Sequence, residues 1–313
     1  MAIIKPPKLR KGDVIGLIAP ASTPSSEEKI LKGALYLERL GYRIKTGKHI
    51  RTVYGYLAGD DSERAEDFNE MVRDRNVKAI FAIRGGYGTP RLLQMIDYHA
   101  LKMHPKIIVG YSDLTALQLA IFRKIGLVTF SGPMTGSDMW KDFDTYAEEN
   151  FWRLLTSTKK IGSMDNPADE PLTILRHGKA SGQLVGGNLS LLSCLMGTPF
   201  QPPMKDAILF LEDVDESPHR VDRIMAQLLN AGILIKLAAL IYGKFTDCVP
   251  GNPDNPSLTI DQIQEEFTRK IKCPVITNFQ YGHIPRKLTV PIGLKATIDT
   301  ERRKIEVLEN GVV

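Results

Sequence analysis

Residues 106–122 read KIIVGYSDLTALQLAIF. The run from Ile107 to Val109 is apolar without alternation, the pattern of a strand covered on both faces. From Leu114 onward the apolar positions recur at helical spacing. One small polar residue, Ser112, separates the two. Strand, tight turn and helix form the repeating step of a parallel sheet, and the segments on either side repeat it. DVIGLIAPAS (13–22) is a short apolar run closed by a loop. SSEEKILKGALYLERLG (25–41) is a helix with Ser25 or Ser26 at its start, Ile30, Leu31, Ala34, Leu35 and Leu37 on its stripe and Gly41 at its end. YRIKTG, VKAIFAIRGGYG and LVTFSGP read as strands. DDSERAEDFNEMVRDRN reads as a helix turning Ala65, Phe68 and Met71 or Val72 inward, and TPRLLQMID as a helix with Pro90 in its first turn. The expected fold of this half is α/β, a doubly wound parallel sheet whose ligands bind beyond the carboxyl ends of the strands.

The pattern changes after DMWKDFDTYAEENFWRLLTS, a further helix. MDNPADEP (164–171) has no periodicity and two prolines, so we expect an N-terminal α/β domain over 1–160, a linker over 161–172 and a smaller C-terminal α+β domain over 173–313. The second half holds strands in LTILRHGKASGQLVGG, AILFLEDV, LAALIYGKF and CPVITNF. It also holds a helical NLSLLSCLMGTPF, an amphipathic helix in SPHRVDRIMAQLLNAGIL, and a tail, KLTVPIGLKATIDTERRKIEVLE, read as a β-hairpin.

Composition narrows the function classes. The 313 residues are 43% hydrophobic and 25% charged, ordinary for a globular chain. The +5 net charge arises from 41 basic and 36 acidic residues with no basic block, which argues against a nucleic-acid partner. No stretch approaches the roughly 20 apolar residues of a membrane span, and the first residues lack an export signal, so a cytoplasmic location is expected. Three scattered cysteines, Cys194, Cys248 and Cys273, give neither a disulfide framework nor a zinc motif, and no other metal signature is present.

Ser112 has the setting of a nucleophile elbow. The turn holds Oγ at the rim of the sheet, and the next backbone N–H, at Asp113, lies at a helix start, where donors are free to bind an oxyanion. GYSDL places Leu114 where the usual G-x-S-x-G has its second glycine, and Ser112 or Asp113 read equally as a helix N-cap. RGGYG (84–88) closes another strand. It lacks a P-loop Lys-Ser/Thr; it is either a tight turn or a backbone cradle in which the Gly86 N–H completes the oxyanion hole. A base would come from one of six histidines. His99 and His104 flank a short loop, His219 opens a helix, and His283 lies in the loop YGHIPRK after an apolar strand. AILFLEDVDE drives a buried strand into Glu212 and Asp213, which alternation points to opposite faces, with Glu216 beyond them. Such a carboxylate pairs either with Arg220 or Arg223 on the next helix, or with His283 in the order Ser, Glu, His.

The chain resembles the LD-carboxypeptidase family of serine peptidases, which includes the enzymes that trim murein tetrapeptides and the microcin C immunity peptidases. Seven segments carry the likeness in order: GLIAPAS, ERAEDFNEM, IRGGYGTPRLL, GYSDLTAL, GGNLSLL with GTPF, LFLEDVDESPHRVDRIMAQL and YGHIPRKLTVPIG. The resemblance implies Ser112 as nucleophile, His283 as general base, Glu212 as its orienting carboxylate, and Gly86 and Asp113 as oxyanion donors. It implies a serine carboxypeptidase that releases D-alanine from murein tetrapeptide without cofactor or metal, and we expect a homodimer. Arg84 or Arg91 would suit so anionic a substrate. Pro90 and Asp215 depart from the family pattern at the rim. Two other functions stay open: hydrolysis of an aminoacyl-nucleotide peptide, for which an aromatic platform (Trp140 or Trp152) would speak, and ligand binding by two lobes without catalysis.

Overall fold

Residues 2–252 and 254–313 are described by the structure, a computed structural model. In the first half the chain forms β1 (Val14–Ile18), α1 (Glu27–Arg39), β2 (Arg43–Thr46), α2 (Asp61–Arg73), β3 (Val77–Ala82), α3 (Tyr98–Met103), β4 (Ile107–Gly110), α4 (Leu114–Ile125), β5 (Thr129–Ser131) and α5 (Thr145–Thr156). The second half forms β6 (Gly162–Ser163), β7 (Thr173–Arg176), β8 (Lys179–Asn188), α6 (Leu189–Ser193), β9 (Ile208–Val214), α7 (Pro218–Asn230) and β10 (Ala239–Thr246). It ends with α8 (Ile260–Arg269), β11 (Val275–Thr277), β12 (Val290–Ile292), β13 (Lys295–Asp299) and β14 (Lys304–Val307).

The six-stranded sheet runs β12-β5-β4-β3-β1-β2, with β1 to β5 parallel. The chain steps from β1 outward to β2, then back past β1 to β3. Right-handed crossovers therefore put α1 on one face and α2, α3 and α4 on the other, the doubly wound arrangement. Ligand crevices form where the winding reverses, beyond the ends of β1 and β3. Asp60 and Glu63 close a capping box on α2, which buries Ala65, Phe68, Met71 and Val72. Helix α4 is buried almost all round because it lies between this sheet and the second lobe, touching β4, β5, α6 and β8.

The second sheet has eight strands in the order β6-β14-β13-β8-β9-β10-β11-β7. Its centre, β8 to β11, is parallel, and its outer strands are antiparallel. The fold is thus a mixed α/β molecule with a doubly wound parallel sheet followed by a second, mixed sheet.

Several local expectations change. On α1, Ile30, Gly33 and Leu37 face inward, while Leu31 and Leu35 are 50% and 47% exposed, because one residue along a helix rotates the side chain about 100° off the stripe. Residues 89–92 form only a 3₁₀ turn. His99 lies within α3, while His104, its C-cap, borders the short loop before β4. The tail is not one hairpin: KLTVPI feeds β12, which crosses to the first sheet and pairs antiparallel with β5, and only β13 and β14 pair as a hairpin. The expected linker carries β6, and Asn166 there donates to the Asn278 carbonyl (2.6 Å). Helix α8 was not legible as periodicity, although Thr259 and Gln262 form its capping box.

Candidate active site

The elbow forms as the sequence suggests. Ser112 lies between β4 and α4 with φ = 62°, in the left-handed region that non-glycine residues enter at a cost of about 1–2 kcal/mol. Beside it lies the Gly85–Gly86 turn. A methyl group on Gly85 would sit 2.9 Å from Ser112 Cβ and 3.0 Å from its Oγ, so only glycine permits this approach. Among the described residues, neither the Gly86 nor the Asp113 N–H donates to a protein acceptor. Two free donors flank the serine.

Asp113 does not cap α4 with its side chain. Its buried carboxylate instead accepts from the backbone N–H groups of Gly88 (3.2 Å) and Thr89 (2.9 Å), while the Thr89 hydroxyl donates to its carbonyl. Burial pushes this carboxyl above its usual range, and those donors pull it back. Asp113 therefore clamps the glycine turn to the elbow, and Ser22 fastens the far side by accepting from the Tyr87 N–H (3.1 Å).

The opposite wall comes from the second sheet. Glu212, fully buried on β9, holds His283 Nδ1 at 2.7 Å through Oε2. Arg220 pairs instead with Glu216, at 3.6 Å. Asp213 faces away, as alternation requires, and is not the surface group one might suppose. It accepts from Asn188 Nδ2 (2.8 Å), the Ser190 N–H (3.0 Å) and hydroxyl (2.8 Å), and the Val214 N–H (2.9 Å). Burial first, then the neighbouring Glu212 charge, pushes Asp213 up to about 6. The Asn188 N–H in turn donates to Thr115 Oγ1 on α4 (3.0 Å). A continuous set of hydrogen bonds thus ties the helix behind Ser112 to the strand carrying Glu212.

His283 rides on the strap that leaves β11 in one sheet and enters β12 in the other. Gly282, at φ = 138°, lets the strap pass the Lys244 carbonyl and Glu212; a methyl there would meet that carbonyl at 2.9 Å. The strap is fixed to the first lobe by Tyr281 OH to Ser131 Oγ (2.6 Å) and by a buried ion pair, Lys287 to Asp138 (2.6 Å). Lys287 Nζ also lies 3.9 Å from the centre of the Tyr111 ring, whose centroid is 5.0 Å from that of His283. Sequence reading missed Tyr111, Asp138 and Lys287. The one available signal was a lysine four residues after the histidine.

All five expected residues, Ser112, Glu212, His283, Gly86 and Asp113, converge here. Ser112, Gly86 and His283 line a cleft of about 490 Å³, together with Lys29, Arg84, Tyr111, Met134, Ser137 and Asp215. Arg91 is elsewhere, paired with Asp61 at 2.9 Å. Trp152 stacks on Tyr42 inside the first lobe, and Trp140 is not among the cleft-lining residues. Among the described residues, no group of three or more His, Cys, Asp or Glu is placed to hold a metal ion, and no helix is long and apolar enough to cross a membrane.

Comparison with known proteins identifies the family. The family models for the LD-carboxypeptidase N-terminal domain and C-terminal domain match residues 15–132 and 181–298. A probable murein peptide carboxypeptidase of Bacillus subtilis is 41% identical over 309 residues, covering 98% of this chain and 95% of the relative. The murein tetrapeptide carboxypeptidase of Pseudomonas aeruginosa is 31% identical, with 92% and 94% covered. Among solved structures, that of MccF in complex with glutamyl sulfamoyl guanosine superposes with a TM-score of 0.91 at 28% identity over 99% of both chains. With both family domains present in order, the chain belongs to the LD-carboxypeptidase family of serine peptidases and is a hydrolase of that type.

Proposed function

We propose that the protein is a serine carboxypeptidase that hydrolyses the LD peptide bond of murein tetrapeptide and releases terminal D-alanine, as in peptidoglycan recycling. Ser112 Oγ attacks the carbonyl of the last peptide bond while His283 Nε2 accepts its proton. Glu212, on Nδ1, fixes that tautomer and stabilises the imidazolium. The developing oxyanion is met by the Gly86 and Asp113 N–H groups. Collapse breaks the C–N bond, and His283 returns the proton to the departing amine. Water, deprotonated by the same imidazole, then releases the tripeptide from Ser112.

The observation that supports this best is the His283–Glu212 pair on one lobe, sharing a cleft with an elbow serine and two free N–H donors on the other. The names of the Bacillus and Pseudomonas relatives supply the murein peptide. A second reading, cleavage of an aminoacyl-nucleotide peptide, draws on the likeness to MccF. Against it, Tyr111 is the one aromatic side chain lining the cleft, and it packs on His283 rather than offering a free face to a base. Incubation with murein tetrapeptide should yield tripeptide and free alanine by mass. Turnover of a peptidyl nucleotide with no alanine released from the tetrapeptide would reverse the order of the two readings. A cytoplasmic homodimer belongs to the same proposal. Light scattering in solution tests the dimer; a monomeric mass at micromolar concentration would remove it.

A further inference from the structure

A carboxypeptidase must tell a terminal peptide bond from an internal one. D-alanine offers only a methyl group and a carboxylate for that purpose, so the discrimination falls on the carboxylate. Carboxylates enter a cleft cheaply only where a cation or several donors replace their water.

Two cationic side chains, Lys29 and Arg84, line the cleft. Neither forms a salt bridge with any acid among the described residues, and the cleft's one carboxylate, Asp215, pairs with neither.

Arg84 is also fixed in place. Its Nε donates to the Gly85 carbonyl (3.2 Å) and its Nη1 to the Thr23 carbonyl (3.3 Å). Those bonds leave Nη2 free, 3.5 Å from where a Cβ on Gly86 would lie. Gly86 is the oxyanion donor. In any C-terminal residue the carboxylate carbon lies roughly 3–4 Å from the carbonyl carbon under attack, three bonds away through N and Cα. Arg84 therefore borders the Gly86 turn and lines the same cleft as Ser112, so its free Nη2 is the candidate partner for a carboxylate one residue beyond the scissile carbonyl. Lys29 projects from the first turn of α1, with its ammonium 5.0 Å from the centre of the Trp140 ring. It adds a second positive charge to the same cleft.

We propose that Arg84, supported by Lys29, is the receptor for the substrate's terminal carboxylate and restricts cleavage to free C-termini. The inference rests on the carboxypeptidase reading above and names the residue that sets its exopeptidase specificity.

The test compares murein tetrapeptide with its C-terminal amide in the wild type, Arg84→Gln, Arg84→Lys and Lys29→Gln, measuring kcat and KM by mass-detected release of alanine or alaninamide. The wild type should prefer the acid. Arg84→Gln should lower kcat/KM for the acid by about 10- to 100-fold, mainly through KM, as expected for a lost charged hydrogen bond, and lower the amide rate much less, so that the acid-over-amide ratio falls. Arg84→Lys should recover part of the preference. Because Arg84 also holds the loop, Lys29→Gln is the second arm: Lys29 makes no side-chain hydrogen bond among the described residues, so its loss should lower the acid-over-amide ratio without structural damage. An equal fall for acid and amide in Arg84→Gln, or an unchanged ratio in both neutral variants, would overturn the receptor. A wild type inert towards both peptides would overturn the functional reading, and this inference with it.

Discussion

Ser112 is strained for a purpose that two substitutions can separate. Ser112→Ala should abolish turnover and keep the left-handed backbone strain. Ser112→Gly should be equally inactive but more stable than the alanine variant by about 1 kcal/mol, since glycine adopts φ = 62° without a Cβ penalty. Equal thermal stability for the two would mean that the elbow relaxes in solution. Glu212 and Asp213 separate in a different way. Glu212→Gln leaves His283 Nδ1 without its acceptor and should cost kcat about 10⁴-fold, the size of effect seen for the orienting aspartate of the chymotrypsin-type triad. Asp213→Asn should retain far more activity but lose about 1–3 kcal/mol of stability, because an amide cannot accept from all four donors. Asp213 also carries a pH signature. Its carboxyl lies near 6 folded against 3.8 for the ordinary group, so the folded state binds the extra proton. Its contribution to stability is greatest below pH 4 and is lost as pH rises towards 6. Chemical denaturation across pH 4–6 should show the wild type losing stability relative to Asp213→Asn; the opposite slope would mean that the four donors hold the carboxylate ionised. The sequence separated these two acids by strand alternation, but gave no sign that Asp213 is buried, because its partners Asn188 and Ser190 lie far off in the chain, at the end of β8 and the start of α6.

At the scale of elements, the strand–turn–helix around Ser112 was legible because a buried parallel strand and an all-round buried helix leave different apolar periods. The carboxyl ends of β3 and β4 were also legible as the candidate site, since glycines and a lone serine end otherwise apolar runs. What they do to each other was not. Asp113 reads as an N-cap of its own helix, yet its carboxylate serves the backbone of Gly88 and Thr89. Gly85 is the sharpest test of this arrangement. Its φ is not positive, so Gly85→Ala adds no backbone strain, but its methyl would press on Ser112 Cβ and Oγ. We predict a fall in kcat of about 100-fold, as for a misplacement of ångström size, with a stability loss of only about 1–3 kcal/mol from the overpacked turn. A variant with full activity would mean that the turn can retreat from the elbow. Helix α8 escaped notice for a simpler reason. Its ten residues follow a Pro- and Asn-rich loop, and only the Thr259–Gln262 capping box marks the start.

The whole molecule depends on one strap. The sequence reading expected two halves and a Ser, Glu, His order across them, but not the crossing of β12 into the first sheet, because three apolar residues next to a hairpin look like part of it. That crossing places His283 at the seam. Lys287 and Asp138 pin the strap from opposite lobes, and Lys287 is 2% exposed. Lys287→Met should destabilise the protein by about 3–5 kcal/mol by stranding the Asp138 charge, and Lys287→Met combined with Asp138→Leu should recover much of the loss. A double variant no more stable than the single one would assign the damage to packing against Tyr111 or to the Met134 N–H, from which Asp138 also accepts at 2.8 Å.

The central claim is that Ser112 is a nucleophile activated by His283 and Glu212 across the two lobes. Its most direct measurement is the rate and position of labelling by a fluorophosphonate, read by peptide mass mapping in the wild type, Ser112→Ala, His283→Ala and Glu212→Gln. We predict a single label on Ser112, absent from Ser112→Ala and slowed by orders of magnitude in His283→Ala and Glu212→Gln. A label on another residue, or a Ser112 label whose rate ignores His283 and Glu212, would contradict it.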